Sequence, residues 1–448
     1  RLDPEFAMAW RAKAVLLQSA GSPAPEVRAA ATRAYELRDR LSERERYYAT
    51  AMYHNYVTGD MEEQTRAYEM VLADFPDDRN ALNNLSIVYT DRARSEDASA
   101  LLEQAVNGPG TSFAAHANRP LYYSLGGDFE MAAEALVELE TDYPASELWP
   151  AWGGVILGFS SWDTEAAEAR SLELQNVPDG ASWRRTGTRA LGLTAALSGE
   201  IARSREIMNG AVTEAQRADA WNDVAQTWAD LAVAEDLIGS GDPSAALDAL
   251  ADRALQDQMQ ARYRNNEQWI SILAWTDREA DARRLLSEWK EDAADLQAAA
   301  IQRTSEVVDA FSTRATDPAA GAAVLVRLRT TERCARCWAW ELGGLYEAAG
   351  MTAEALTERE RSLEAGQDFY FGFHRLAAHE ALGRLHDEMG NTAEAIEYYQ
   401  IYVDQLSGGP EVPRVQRATE RLAALRGGGC LSRSPAPSRK PSAGPAPC

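Results

Sequence analysis

Apolar and small residues recur along this chain with the spacing of paired amphipathic helices. Within residues 79–112, Leu82, Leu85, Ser86 and Tyr89 fall at the i, i+3, i+4, i+7 positions that put one apolar stripe on a helix. Ala98, Leu102 and Ala105 do the same farther on. Small side chains at Ser86 and Ala98 let two such helices approach, and Tyr89 and Leu102 fill the space beside them. The pattern returns at a constant offset through four contiguous registers, 45–78, 79–112, 113–146 and 147–180. Gly59-Asp60 and Gly127-Asp128 stand where the turn inside a pair must fall, because Gly closes one helix and Asp caps the next. Pro76, Pro144 and Pro178, with Gly110 beside Pro109 at the remaining step, end the second helix of each pair.

The same reading extends in both directions. Trp10, Ala14 and Leu17 fit a repeat beginning near Ala7, its turn lengthened by Gly21-Ser22-Pro23-Ala24-Pro25. Gly199-Glu200, Gly241-Asp242, Gly350 and Gly390-Asn391 mark later turns. A final clear repeat covers 376–409, with Leu382, Gly383, His386, Gly390, Ala395 and Tyr399 in register. Between about 297 and 335 the spacing reads helical, but no convincing hairpin can be placed. Strand patterns of period two are nearly absent. The expected fold is all-α, an α-solenoid of stacked antiparallel hairpins over 1–426. Gly427-Gly428-Gly429 is expected to break the last helix, leaving 427–448 as a disordered Gly/Ser/Pro-rich tail.

Length agrees with that architecture, since 448 residues exceed what one compact core usually organises. The chain carries 45 Lys+Arg against 69 Asp+Glu, a formal charge of -24. That balance opposes nucleic-acid binding, which needs clustered cations, and favours basic or neutral protein partners. Lysine occurs three times, at Lys13, Lys290 and Lys440, so arginine supplies almost all the cations. The longest apolar stretch, around Trp149 to Phe159, is too short to span a membrane. The opening Arg1-Leu2-Asp3-Pro4 begins mid-element, which suggests a fragment, and sparse cysteine with no leader makes cytoplasm the default location.

Candidate chemistry is thin. Cys334-Ala335-Arg336-Cys337 supplies half of a tetrahedral zinc set, with no second pair to complete it. A redox role would want a preceding strand, and none is apparent, so a small semi-buried pair at a helix start is the expectation. His374, His379 and His386 are spaced by five and seven, which does not bring them to one metal on a helix. His386 takes the place of Tyr89 and reads as a packing aromatic. No nucleotide loop, nucleophile elbow or zinc-protease motif is present. No cofactor and no active site are expected, and an enzyme built around the CxxC or histidine cluster is the lesser alternative.

The 34-residue period, with its small and aromatic positions, is similar to the tetratricopeptide repeat. The stretches LDPEFAMAW (2–10), AYELRDRLSERERYY (34–48), FPDDRNALNNLSIVY (75–89), ERCARCWAWELGGLYEAAG (332–350) and LGRLHDEMGNTAEAIEYYQIYVD (382–404) resemble C-terminal repeat regions of bacterial serine/threonine protein kinases. Related arrays also follow cyclase-type and transcription-regulator domains. The kinase motifs themselves are absent, so the resemblance implies a non-catalytic interaction or sensory module whose catalytic domain lies upstream, or else a free-standing adaptor.

A solenoid's concave face is lined by the first helix of each repeat. Its ninth position is Tyr53, Ile87, Leu121 and Val155 in successive registers. With Tyr56, Asn83, Asn84 and Asn118 these predict an apolar groove carrying amide groups, suited to an extended peptide or a partner helix. The alternative is that they pack between neighbouring repeats. Carboxylate-clamp arrays use Lys and Asn/Arg at slots that here hold Ala49, Tyr53, Asn84, Ala114 and Asn118, so capture of an acidic C-terminus is disfavoured.

Overall fold

A computed structural model describes residues 5–19, 24–108, 112–178, 180–240, 242–259, 266–293, 297–364, 366, 370–409 and 411–431. The chain is an all-α solenoid. Helices α1 (Ala7–Ser19) and α2 (Ala24–Glu36) form the first hairpin, and α3 (Glu43–Tyr53) and α4 (Met61–Asp74) the second. Next come α5 (Arg79–Thr90) with α6 (Ser95–Asn107), α7 (Phe113–Leu125) with α8 (Phe129–Asp142), and α9 (Leu148–Ser161) with α10 (Thr164–Gln175). Helix α11 (Ala181–Leu197) pairs with α12 (Ile201–Arg217), and α13 (Trp221–Ile238) with α14 (Ser244–Ala251), which the short α15 (Arg253–Gln258) follows. The later hairpins are α16 (Asn266–Trp275) with α17 (Glu279–Ala293), α18 (Ala298–Ser312) with α19 (Pro318–Thr331), and α20 (Ala339–Ala348) with α21 (Thr352–Glu364). Helices α22 (Phe371–Glu388) and α23 (Thr392–Gln405) form the last, and α24 (Pro413–Leu431) covers its end.

The turns form for the reasons their residues dictate. Gly59 adopts φ 67°, and the Asp60 carboxylate accepts the amides of Glu62 and Glu63, so one helix ends and the next begins within two residues. Gly127 and Asp128 repeat the device. The first core is made by the expected stripes: Leu85, Tyr89 and Ala98 are buried together, and Leu82 meets Leu102 and Ala105.

Two elements differ from the expectation. Residues 298–331, where no hairpin could be placed, form α18 and α19, joined by a turn in which Asp317 caps α19 and Pro318 sits at its first position. The apolar stripe is interrupted there by Arg303 and Arg329, which read as surface positions but are buried and ion-paired. Helix α24 also runs through Gly427-Gly428-Gly429 to Leu431, so it does not break at the first glycine. Gly21, Gly110, Gly241 and 432–448 lie outside the described residues.

The solenoid closes on itself. The backbone N–H of Gln297 donates to the Val57 carbonyl at 2.8 Å, that of Ala335 to Arg92 at 3.0 Å, and that of Gly366 to Leu125 at 2.8 Å. Farther along, Trp162 Nε1 donates to the Gly372 carbonyl, Gln405 Nε2 to Leu197, and Tyr402 OH to Ile238. Apart from the small step back at Ile238–Tyr402, both partners advance together along the chain, so the second superhelical turn lies parallel on the first. The seam joins residues 242 apart at Arg92 and Cys334 and 177 apart at Leu237 and Arg414. One large core, from Ala151 to Leu422, takes residues from both turns.

Candidate functional site

Closure converts part of the open concave face into a half-open cavity of about 620 Å³ between the turns. Its walls come from α2, the π-helical turn His54–Thr58 that ends α3, α4 and α5 on one side, and α16, α17 and α18 on the other. The seam closes it: Gln297, held to Val57 by its backbone, accepts the indole N–H of Trp289 at 2.9 Å on its side-chain oxygen.

Of the residues predicted for the groove, Tyr56, Asn84 and Ile87 line this cavity. Asn83 and Asn118 stand behind them. Asn118 Nδ2 donates to Asn83 Oδ1 at 3.0 Å, Asn83 Nδ2 to Asn84 Oδ1 at 3.3 Å, and Asn84 Nδ2 to Tyr68 OH at 3.4 Å. This relay ties α7, α5 and α4 together and orients the Asn84 amide. The other three predicted residues are engaged elsewhere. Tyr53 stacks on Tyr35 with ring centroids 4.1 Å apart. Leu121 packs on the seam cluster of Leu125, Ile156 and Phe371. Val155 is wholly buried in the main core and reaches no surface, because the second turn covers the face that an open solenoid would expose.

The cavity also holds residues that periodicity did not single out. Asp91, the C-cap of α5 one turn beyond Ile87, is exposed within the cavity mouth while the bulk of the neighbouring helices crowds its carboxylate. Desolvation pushes its pKa up to about 6, against a smaller opposing pull from the Arg92 guanidinium. Among the described residues no ion pair reaches this carboxylate. Burial lowers the pKa of Arg28, whose Nε is enclosed with no hydrogen-bond partner among the described residues. Burial likewise lowers that of His54. Arg303, by contrast, is fully engaged, donating to both Glu267 oxygens at 2.7 and 3.0 Å. The spacing of Asn84, Ile87 and Asp91 at i, i+3 and i+7 was the available signal for Asp91.

Residues 335–403 match the family model described as tetratricopeptide repeat. No curated protein matches the sequence. A solved tetratricopeptide repeat protein from Parabacteroides merdae is similar at 15% identity, covering 59% of this chain and 98% of its own, with a TM-score of 0.35. Yeast Tom70 is similar at 12% identity over 96% of this chain and 97% of its own, TM-score 0.32. The Naa15/Naa10 complex bound to HypK-THB is similar at 14% identity over 86% and 63%, TM-score 0.26.

Within the matched segment the polar clusters serve packing. His374 lies against Trp340 and Trp275, His379 against Trp162 and Tyr398, and His386 stacks on Tyr398 at 5.5 Å. Among the described residues no group of three or more His, Cys, Asp or Glu is arranged to hold a metal ion. Cys334 and Cys337, expected as a small semi-buried pair at a helix start, are buried and joined by a disulfide in the loop between α19 and α20. Among the described residues no helix is long and apolar enough to cross a membrane.

Proposed function

We propose that this chain is a non-catalytic protein-interaction scaffold that takes an extended, basic or neutral peptide segment into the cavity between its superhelical turns. The observation that carries the reading is Asp91: a carboxylate with no ion pair among the described residues, lining the same cavity as the Asn84 amide and the apolar Ile87 and Tyr56. An extended peptide offers backbone groups to amide side chains, apolar side chains to Ile87 and Tyr56, and a Lys or Arg to the carboxylate. The cavity lining brings no activated nucleophile and base together, which favours binding over turnover. The stretches resembling kinase-associated repeat regions support a signalling protein as the parent, with its catalytic domain upstream and the array in the cytoplasm.

A random-peptide display library panned against the intact chain tests the reading. The expected result is enrichment of Lys- or Arg-containing peptides that bind the Asp91→Asn variant at least about tenfold more weakly, the weight of one charge-assisted contact. Enrichment of acidic peptides, or binding indifferent to Asp91, would contradict it.

A further inference from the structure

We propose that Cys334 and Cys337 form a thiol–disulfide exchange site that takes a dithiol reductant, and that its redox state sets how firmly the two superhelical turns are held together. The inference concerns the seam and stands whether or not the cavity takes a peptide.

The disulfide closes the loop that makes one of the seam's backbone contacts. Ala335, between the two cysteines, donates its N–H to the Arg92 carbonyl at 3.0 Å, and Cys334 Sγ lies 2.9 Å from the same oxygen. Ala93, Cys334, Cys337 and Trp338 form an apolar cluster of their own, apart from the main core. Around it, Arg333 reaches Glu62 and Glu69 at 3.4 and 3.6 Å, and Arg329 donates to the Cys337 carbonyl at 2.9 and 2.7 Å. Arg333 and Trp338, at either end of the loop, hold left-handed backbone at φ 52° and 58°, as Trp162, Asp219 and Asp277 do in other turns of the array. The cross-link ties the two ends of the short Cys334–Cys337 segment to each other. A bonded pair so placed is coupled to closure by the chain itself.

The exchange balances within the pair and its reductant. A reductant thiolate attacks Cys337 Sγ, forming a mixed disulfide while the S–S electrons pass to Cys334 Sγ. The Cys337 N–H, 3.0 Å from Cys334 Sγ, stabilises that leaving thiolate. The reductant's second thiol then expels Cys337 and leaves as a disulfide. Two electrons and two protons are transferred, and the Cys334 thiol gains a proton to donate to the Arg92 carbonyl. With the cross-link gone, the loop gains conformational freedom and the Ala335–Arg92 contact opens more often. A glutathione-reduced compartment would hold the loop open and an oxidising one would hold it shut.

The full chain, isolated without reductant, is alkylated with iodoacetamide before and after dithiothreitol and mapped by mass spectrometry, which separates this pair from Cys430 and Cys448. Hydrogen exchange is then followed over 88–96 and 329–340 in both forms. Expected are protection of Cys334 and Cys337 before reduction, alkylation of both after it, and several-fold faster exchange in both segments that oxidised glutathione reverses. The double variant Cys334→Ser with Cys337→Ser should show the fast exchange whatever the reductant. If that variant fails to fold, the comparison on the unaltered chain still decides. Alkylation of both cysteines before reduction, stoichiometric bound zinc, or equal exchange in the two forms would overturn the proposal.

Discussion

Gly409 and Gly199 meet backbone to backbone, so closely that a Cβ on Gly409 would overlap the Gly199 carbonyl and one on Gly199 would lie 2.7 Å from the Gly409 nitrogen. Neither obstacle is a side chain able to swing aside. Replacing Gly by Ala at a compatible position ordinarily stabilises, by about 0.4–1 kcal/mol, through the unfolded chain. Gly409 is not in the left-handed region, so in an open solenoid Gly409→Ala would follow that rule. In the closed solenoid it should instead cost about 1–3 kcal/mol, the usual penalty for overpacking. Urea unfolding checks the sign. Gly390→Ala is the control: it has nothing within 4 Å and should lose about 1–2 kcal/mol from its left-handed backbone alone.

Asp91 makes stability depend on pH in an unusual direction. Its pKa is about 6 in the folded chain against a reference value of 3.8. Between those values the folded state binds more protons than the unfolded one, so this residue's contribution falls as pH rises through the window. Arg92 opposes the shift, and Arg28, His54, Glu267 and Arg303 line the same cavity. Asp91→Asn is therefore expected to raise the melting temperature at pH 7.5 and to leave it nearly unchanged at pH 4. Scanning calorimetry at both values reads the difference, and equal effects would contradict the account.

How far the chain could be read depended on the range of each interaction. Gly59-Asp60, Gly127-Asp128 and the Leu82–Tyr89 stripe were legible because turn and helix chemistry acts over a few residues. The partnership of Val57 with Gln297, or Arg92 with Ala335, has no periodic signature, since a repeat pattern describes neighbours and not the next superhelical turn. That is why Val155 and Leu121 read as groove residues while the second turn covers them. Arginine misled in another way. Arg92, Arg119, Arg303, Arg329 and Arg359 are polar positions in a hydropathy pattern but buried in the fold. Arg303 and Arg359 donate from two guanidinium nitrogens at once and Arg329 from three, a geometry lysine cannot supply, which gives part of the chain's arginine preference a structural reason.

The Arg329–Glu358 pair carries the clearest stability prediction. Both side chains are buried, and two guanidinium nitrogens reach the two carboxylate oxygens at 2.9 and 2.8 Å. Glu358→Ala leaves a buried cation without its counter-ion and is expected to cost about 3–5 kcal/mol. A loss below about 1 kcal/mol in urea unfolding would instead place the pair among solvent-screened surface bridges.

The scarcity of lysine makes closure itself directly testable. Arg333 lies 3.4 Å from Glu62 and 3.6 Å from Glu69, on opposite sides of the seam. In the variant Arg333→Lys, a carbodiimide joins an amine to a carboxylate with loss of water, and only the α-amino group and Lys13, Lys290 and Lys440 compete within the chain. Closed superhelical turns predict an intrachain amide between position 333 and Glu62 or Glu69 in the monomer fraction, found by peptide mass mapping. An open solenoid would yield no link between these segments, and that result would contradict the account.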